Sequence, residues 1–201
     1  YEETQEMAES GAKVLNAQAV EFAKEKEIAI FARATSGPLP GDDPTTDGTV
    51  VRKFAPRAPG SVTGVASEKE VFLLRAENVE AMVLLELLDE EGVSAKQLQV
   101  LDGNRVSMVI SSENLHQAEN LTKKVSKRFS ESVQLLSGFG AVSVIGAGIN
   151  ANYGNLRRGQ QAIGDSVTEI FTSSFRITWI LPSSGVETAV RALHGEFLDV
   201  Q

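Results

Sequence analysis

The chain has 201 residues, 42% hydrophobic and 23% charged, which are the proportions of a folded globular protein rather than a disordered one. Lys plus Arg total 19 against 27 Asp plus Glu, a formal net charge of −8, which argues against a surface for nucleic acid or an anionic membrane because both need clustered positive charge. Cysteine is absent, which excludes disulfides, zinc–thiolate sites and thiol nucleophiles, and no apolar run approaches the ~18 residues of a membrane helix.

Residues 4–27 read as helix, broken near Gly11, with Ala17, Val20, Phe22 and Ala23 on the apolar side and Glu21, Lys24, Glu25 and Lys26 on the wet side. The acidic opening gives no signal peptide, and a chain that starts at Tyr1 directly in a helical pattern reads as a fragment or a processed subunit. Ile28–Ala32 is an apolar run of strand length, expected to be buried on both faces. The composition then shifts. Pro38, Pro40, Pro44, Pro56 and Pro59, with several Gly and Asp, mark loop or linker material, in which Thr49–Val51 is a short strand.

Beyond the linker the pattern is regular. Val71–Leu74 predicts a strand, and residues 80–91 a helix with Ala81, Leu84, Leu85 and Leu88 on one face. Leu98–Leu101 and Val106–Ile110 are strands joined by the tight turn Asp102-Gly103-Asn104. A helix capped by Ser112 or Asn114 carries Leu115, Ala118, Leu121, Val125 and Phe129 on its core face, and Val133–Leu136 returns as strand. The order begins again with strand Ala141–Ile145, a short helix over 156–163, and strand Val167–Phe171. A strand then alternates Phe175, Ile177, Trp179 and Leu181 with Arg176, Thr178 and Ile180, so that one face is expected to be buried. A last helix carries Val186, Ala189, Val190, Leu193 and Phe197. The fold class is α+β, with two ferredoxin-like βαββαβ modules whose helices pack on one face of antiparallel sheet. The second module lacks a fourth strand, and a bare edge would be adhesive. Residues 61–66, strand-like and just ahead of the first module, or else a partner chain, are expected to complete it.

Few residues look catalytic. His116 and His194 lie in helical segments without a ligand partner, and no metal site is expected. The paired acids Asp42-Asp43 and Asp89-Glu90-Glu91 read as solvated. Val142–Ile145 followed by Gly146-Ala147-Gly148-Ile149-Asn150-Ala151 has the form of a dinucleotide-binding turn, in which glycines admit a pyrophosphate to a helix N-terminus. Against that reading, the next strands form a hairpin and Asn150, Asn152, Tyr153 and Gly154 read as loop.

Several blocks resemble aspartate kinases. Gly11-Ala12-Lys13-Val14-Leu15, Ile28–Ala34 and Gly48-Thr49-Val50-Val51 resemble the end of that family's amino-acid-kinase domain. Ser61–Ala66 resembles the entry to its regulatory region, Val142–Ile149 the start of its second ACT module, and Ala189–Phe197 its C-terminal helix. The resemblance implies an organisation of 1–53 as an α/β remnant of the kinase domain, 54–61 as linker, 62–135 as the first ACT domain and 136–201 as the second.

It also implies a parent enzyme that phosphorylates L-aspartate with ATP and Mg, in the cytoplasm, at the entry to lysine, threonine and methionine biosynthesis. The family's K-F-G-G-T segment is not among these residues. They are therefore expected to have no kinase activity alone, no cofactor and no catalytic residue, with Lys13 and Val14 as a remnant of the nucleotide site. The implied role is regulatory: an amino-acid effector, lysine or threonine, bound by ACT modules that also form a homodimer. The implied effector positions are Asn78, Glu80, Ala81, Ser94 and Lys96 in the first module, and Asn152, Tyr153, Gly154 and Ser166 in the second. A lysine stands at 96, Tyr153 replaces a proline, and Thr168 falls at an acidic position. A ligand-independent ACT dimerisation scaffold is the alternative. A dinucleotide-binding module built on Gly146–Ala151 is a further one.

Overall fold

A computed structural model describes residues 1–13, 15–32, 48–53, 60–115 and 118–199. The N-terminal helical stretch divides into α1 (Glu2–Glu9) and α2 (Ala17–Glu25). The side chain of Asn16 starts α2 by accepting from the amides of Gln18 (2.9 Å) and Ala19 (3.3 Å). β1 (Ile30–Ala32) pairs antiparallel with β2 (Thr49–Val51). Tyr1, Val20, Ala23 and Val51 close a small core under this ribbon, and the Tyr1 hydroxyl donates to Ile28 O at 2.9 Å. The expectation that 28–32 would be buried on both faces fails, because Ile28 and Phe31 are about half exposed (50% and 47%). A two-stranded ribbon with one small core beneath it has nothing among the described residues to cover its other side.

The rest forms one six-stranded sheet, in which every ladder is antiparallel. In chain order its elements are β3 (Gly64–Glu77), α3 (Ala81–Glu90), β4 (Gln97–Leu101), β5 (Arg105–Ser111), α4 (Ala118–Phe129) and β6 (Val133–Ile145). They continue with α5 (Gly154–Ile163), β7 (Glu169–Thr172), β8 (Arg176–Pro182) and α6 (Val186–Phe197). The strand order is β4-β5-β3-β6-β8-β7. Ser112 and Asn114, the expected caps of α4, lie in a short 3-10 turn, and His116 lies outside the described residues.

The sequence divides β3 and β6 into separate short strands, whereas each is a single long one, of 14 and 13 residues. Their shared ladder slips register between Glu68 and Val71 and again between Val71 and Leu73, the irregularity that lets a paired ribbon bend. On one side of the slip, residues 71–77 and 133–136 belong with β4, β5, α3 and α4. On the other, Gly64–Glu68 pairs with Ala141–Ile145, beside β8 and β7. Gly64–Glu68 is thus the fourth strand that the second module needs, supplied from ahead of the first. The boundary expected between 135 and 136 falls inside β6, a strand both halves share.

Each half keeps its helices on one face. Leu74, Ala76, Met108, Ile110 and Val133 pack under α3 and α4, and Val142, Val144, Ile177, Trp179 and Leu181 under α5 and α6. The helix-free faces meet each other: Val71, Leu73 and Val109 from the first half cluster with Ala141, Ile180 and Phe171 from the second. This corrects the expectation that the strand 175–181 buries one face. Ile177 through Leu181 are all buried, because one half of the protein covers the face that the helices leave open.

Candidate functional site

The turn ahead of α3, Asn78-Val79-Glu80, is tightly held. Asn78 has φ 58, and the next amides are spent on the β4–β5 hairpin, Val79 N on Asn104 O and Ala81 N on Gly103 O, each at 3.1 Å. Glu80 is the N-cap residue of α3 but makes no side-chain cap bond. Lys96 lies at the other end of the module, its amide on Val109 O at 2.8 Å. From Asn104 to Val109 the strand climbs roughly 15–20 Å at ~3.3 Å per residue, so the turn at 78–81 and Lys96 lie toward opposite ends of β5. Ser94 is exposed on the approach to Lys96.

The corresponding turn of the second half is filled by its own chain. A Cβ on Gly146 would collide with Ser61 O, so only glycine allows these two backbone segments to approach. Gly146 N donates to Phe175 O at 2.9 Å and Ala147 N to the carboxylate of Glu3 at 3.1 Å. The Asn152 side chain accepts from Gly154 N at 2.8 Å, and Tyr153 projects into solvent, 79% exposed. The helix begins at Gly154, eight residues past Gly146, and Glu169 sits in β7. With no helix N-terminus at the turn and the amides of Gly146 and Ala147 engaged, Gly146–Ala151 is a packing turn and the dinucleotide reading falls. Ser166 is exposed and lies past the far end of α5 from Asn152, one helix of 10 residues or about 15 Å away.

The N-terminal unit grips this second half. Met7 lies over Gly64, and Arg176 donates from Nη1 to Ser10 Oγ at 3.0 Å, with Glu6 Oε2 3.2 Å from the same nitrogen. That contact with Glu6 is an ion pair without hydrogen-bond geometry, since Oε2 accepts no hydrogen bond. Lys96 also donates to Glu9 O, which ties α1 to the junction between the halves. Lys13 points into solvent, 3.6 Å from Glu113, and Val14 lies outside the described residues.

One constellation is invisible in the sequence. Arg75 on β3 meets Glu169 on β7, with Nε at 2.9 Å and Nη2 at 2.5 Å from Oε1, while Ser107 Oγ donates to Oε2 at 3.0 Å. These residues line a cleft of about 350 Å³ at the open end of the seam between the halves. Arg75 and Glu169 are 94 positions apart, and only the facing of the two sheet halves joins them. His194 Nδ1 lies 3.0 Å from Asp199 Oδ1 at the surface, and among the described residues no cluster of His, Asp and Glu can hold a metal ion. Nor is any described helix long and apolar enough to cross a membrane.

Comparison with known proteins accounts for this architecture. No family model matches the chain. Aspartokinase of Thermus thermophilus is 28% identical over 219 residues, 98% of this chain and 50% of that protein. Aspartokinase of Mycobacterium tuberculosis is 28% identical over 221 residues, again 98% of this chain and 49% of the relative. The chain thus spans about half the length of the curated relatives it matches. Among solved structures, Clostridium acetobutylicum aspartate kinase superposes with a TM-score of 0.80 at 21% identity, over 98% of this chain and 47% of that one. Escherichia coli aspartokinase III, in complex with lysine and aspartate, gives 0.69 at 21% identity, over 98% and 45%. The regulatory subunit of Thermus thermophilus aspartate kinase gives 0.59 at 21% identity, over 68% of this chain and 99% of the subunit. In sequence the chain is similar to aspartokinases along nearly its whole length, and about two thirds of it shares the paired ACT-type fold of an aspartate kinase regulatory subunit.

Proposed function

We propose that the chain senses an amino acid, lysine or threonine, for an aspartate kinase and passes the signal to the catalytic part of a longer protein. The observation that carries this reading is the grip of α1 on the second half through Glu3, Glu6, Ser10 and Arg176. A ligand that favours one arrangement of the two halves would move α1 with it, a population shift set by the ligand's differential affinity. The solved complex of E. coli aspartokinase III with lysine and aspartate supports an amino acid as the ligand class. Transfer of phosphate from ATP to aspartate would belong to the longer protein.

A homodimer is part of the proposal. β4 ends the sheet with Leu98, Val100 and Leu101 at 49%, 39% and 42% exposure, an apolar edge suited to strand addition. Calorimetry with lysine and threonine at millimolar concentration, paired with sedimentation, tests both elements. Saturable heat and a dimer are expected.

The scaffold reading is favoured by one observation, the engagement of the turn amides Val79, Ala81 and Ala147 by the chain itself. A dimer that takes up no amino acid would establish it in place of sensing.

A further inference from the structure

We propose that the cleft at the open end of the seam between the two halves binds a free α-amino acid with an apolar side chain, its ammonium on Glu77 and its carboxylate on Arg105. The inference rests on the reading of the chain as an amino-acid sensor, differs from it in taking an apolar amino acid in place of lysine or threonine, and places that ligand away from the turns ahead of α3 and α5. The cleft, at about 350 Å³, lies in the lower range of small-molecule sites, roughly 300–1,000 Å³.

Its lining carries two guanidinium groups and two carboxylates. Arg75 and Glu169 satisfy each other, with Ser107 on the second carboxylate oxygen. Glu77 and Arg105 remain. They are direct partners in the β3–β5 ladder, so their Cβ atoms stand about 4.5–5.5 Å apart on one face. They are not spent on each other: Glu77 has no ion-pair partner among the described residues, and Arg105 turns back to Asp102 at 2.5 Å. That pair spans only three positions and both side chains are more than half exposed (54% and 73%), so it is weak and readily exchanged.

One free negative and one loosely held positive group, a cross-strand spacing apart, match a zwitterion whose ammonium and carboxylate share one carbon. A ligand with a single charge would satisfy one and oppose the other. Gln99, the next residue inward on the same face of β4, offers a donor and an acceptor to the carboxylate. Leu101 and Phe171 provide an apolar wall for the side chain.

The test is calorimetry on the full chain with a panel of L-amino acids at millimolar concentration, repeated on Glu77→Gln and Arg105→Gln, with thermal unfolding to verify that both variants fold. Asn78→Ala and Asn152→Ala serve as variants of the turns ahead of α3 and α5. Leucine methyl ester and 4-methylpentanoate, each lacking one charge of leucine, are the ligand controls. An apolar amino acid is expected to bind, at least ~tenfold more weakly to either cleft variant, unchanged by the turn variants, and to lose affinity when either charge is removed. Binding that survives both cleft substitutions overturns the cleft, as does binding that only the turn variants weaken, and in both cases amino-acid sensing stands. If no amino acid binds the parent chain, the sensing reading falls and the cleft assignment with it.

Discussion

Lys96 places its ammonium 2.7 Å from Glu68 Oε1, where β3 passes from one half of the sheet to the other. The other carboxylate oxygen of Glu68 accepts from Ser111 Oγ at 2.7 Å. Both partners are largely covered, at 25% and 12% side-chain exposure, so removing either leaves a charge poorly hydrated. The lysine that would repel a ligand ammonium is here the cation that fastens the start of β4 to the bend in β3.

Glu68→Gln and Lys96→Met are each expected to lower the stability of the sheet by about 1.5–3 kcal/mol, the usual worth of hydrogen bonds to a charged group. Urea unfolding followed by the emission of Trp179, the only tryptophan, measures the change. Equal midpoints in parent and variants would mean that the junction is held by its backbone ladder alone.

Ser143 and Thr178 are cross-strand neighbours on β6 and β8, both buried, with their hydroxyls 2.8 Å apart. Thr178→Val strands the serine hydroxyl and is expected to cost about 1–3 kcal/mol. Adding Ser143→Ala removes the orphan, so the double variant should recover much of the loss. A double-mutant cycle reads the coupling. Additive losses would sink the account of a mutually satisfied pair.

Gly159 lets α5 lie against the Trp179 indole, since a Cβ there would stand 2.5 Å from the ring. Gly159→Ala is expected to destabilise the second half by roughly 1–3 kcal/mol through overpacking, even though alanine is the better helix former. The altered indole contact should also shift the fluorescence of the folded state. A more stable variant with unchanged emission would show that the ring has room to move.

The N-terminal unit has its own pH dependence. The hydrogen bond from Lys24, with the pair 2.9 Å apart, is the main influence that holds Glu2 below the ordinary glutamate value of 4.5. Lys53 does the same to Glu27 at 2.6 Å, and Glu27 in turn raises Lys53 above 10.5. A lowered carboxylate contributes stability that is present above its unfolded pKa and lost as pH falls through the folded one. A raised lysine contributes below its unfolded pKa and loses as pH rises through the folded one. Limited proteolysis between α2 and β3 should therefore be slowest from about pH 5 to 10 and accelerate on acidification below pH ~4.5. Uniform susceptibility across that range would remove these pairs from the account.

The sequence by itself determined the kinds of element and their order. A period near 3.6 marks the apolar faces of α3 and α6, and period-2 alternation marks β8. Asp102 and Gly103 take the positive φ values, 53 and 73, that favour a tight hairpin turn. The need for a fourth strand in the second half followed from the same count, and the structure chose between residues 61–66 and a partner chain as its source by pairing Gly64–Glu68 with Ala141–Ile145. Only the tertiary structure decided that β3 and β6 run unbroken through both halves, that the helix-free faces cover one another, and that Arg75 meets Glu169. The physical reason is range. Periodicity reports which side of an element is apolar, but not what lies on its other side, and an ion pair between distant strands leaves no local pattern. The interior burial of Ile180, on the face of β8 assigned to solvent, follows from that contact between halves and from nothing within β8 itself.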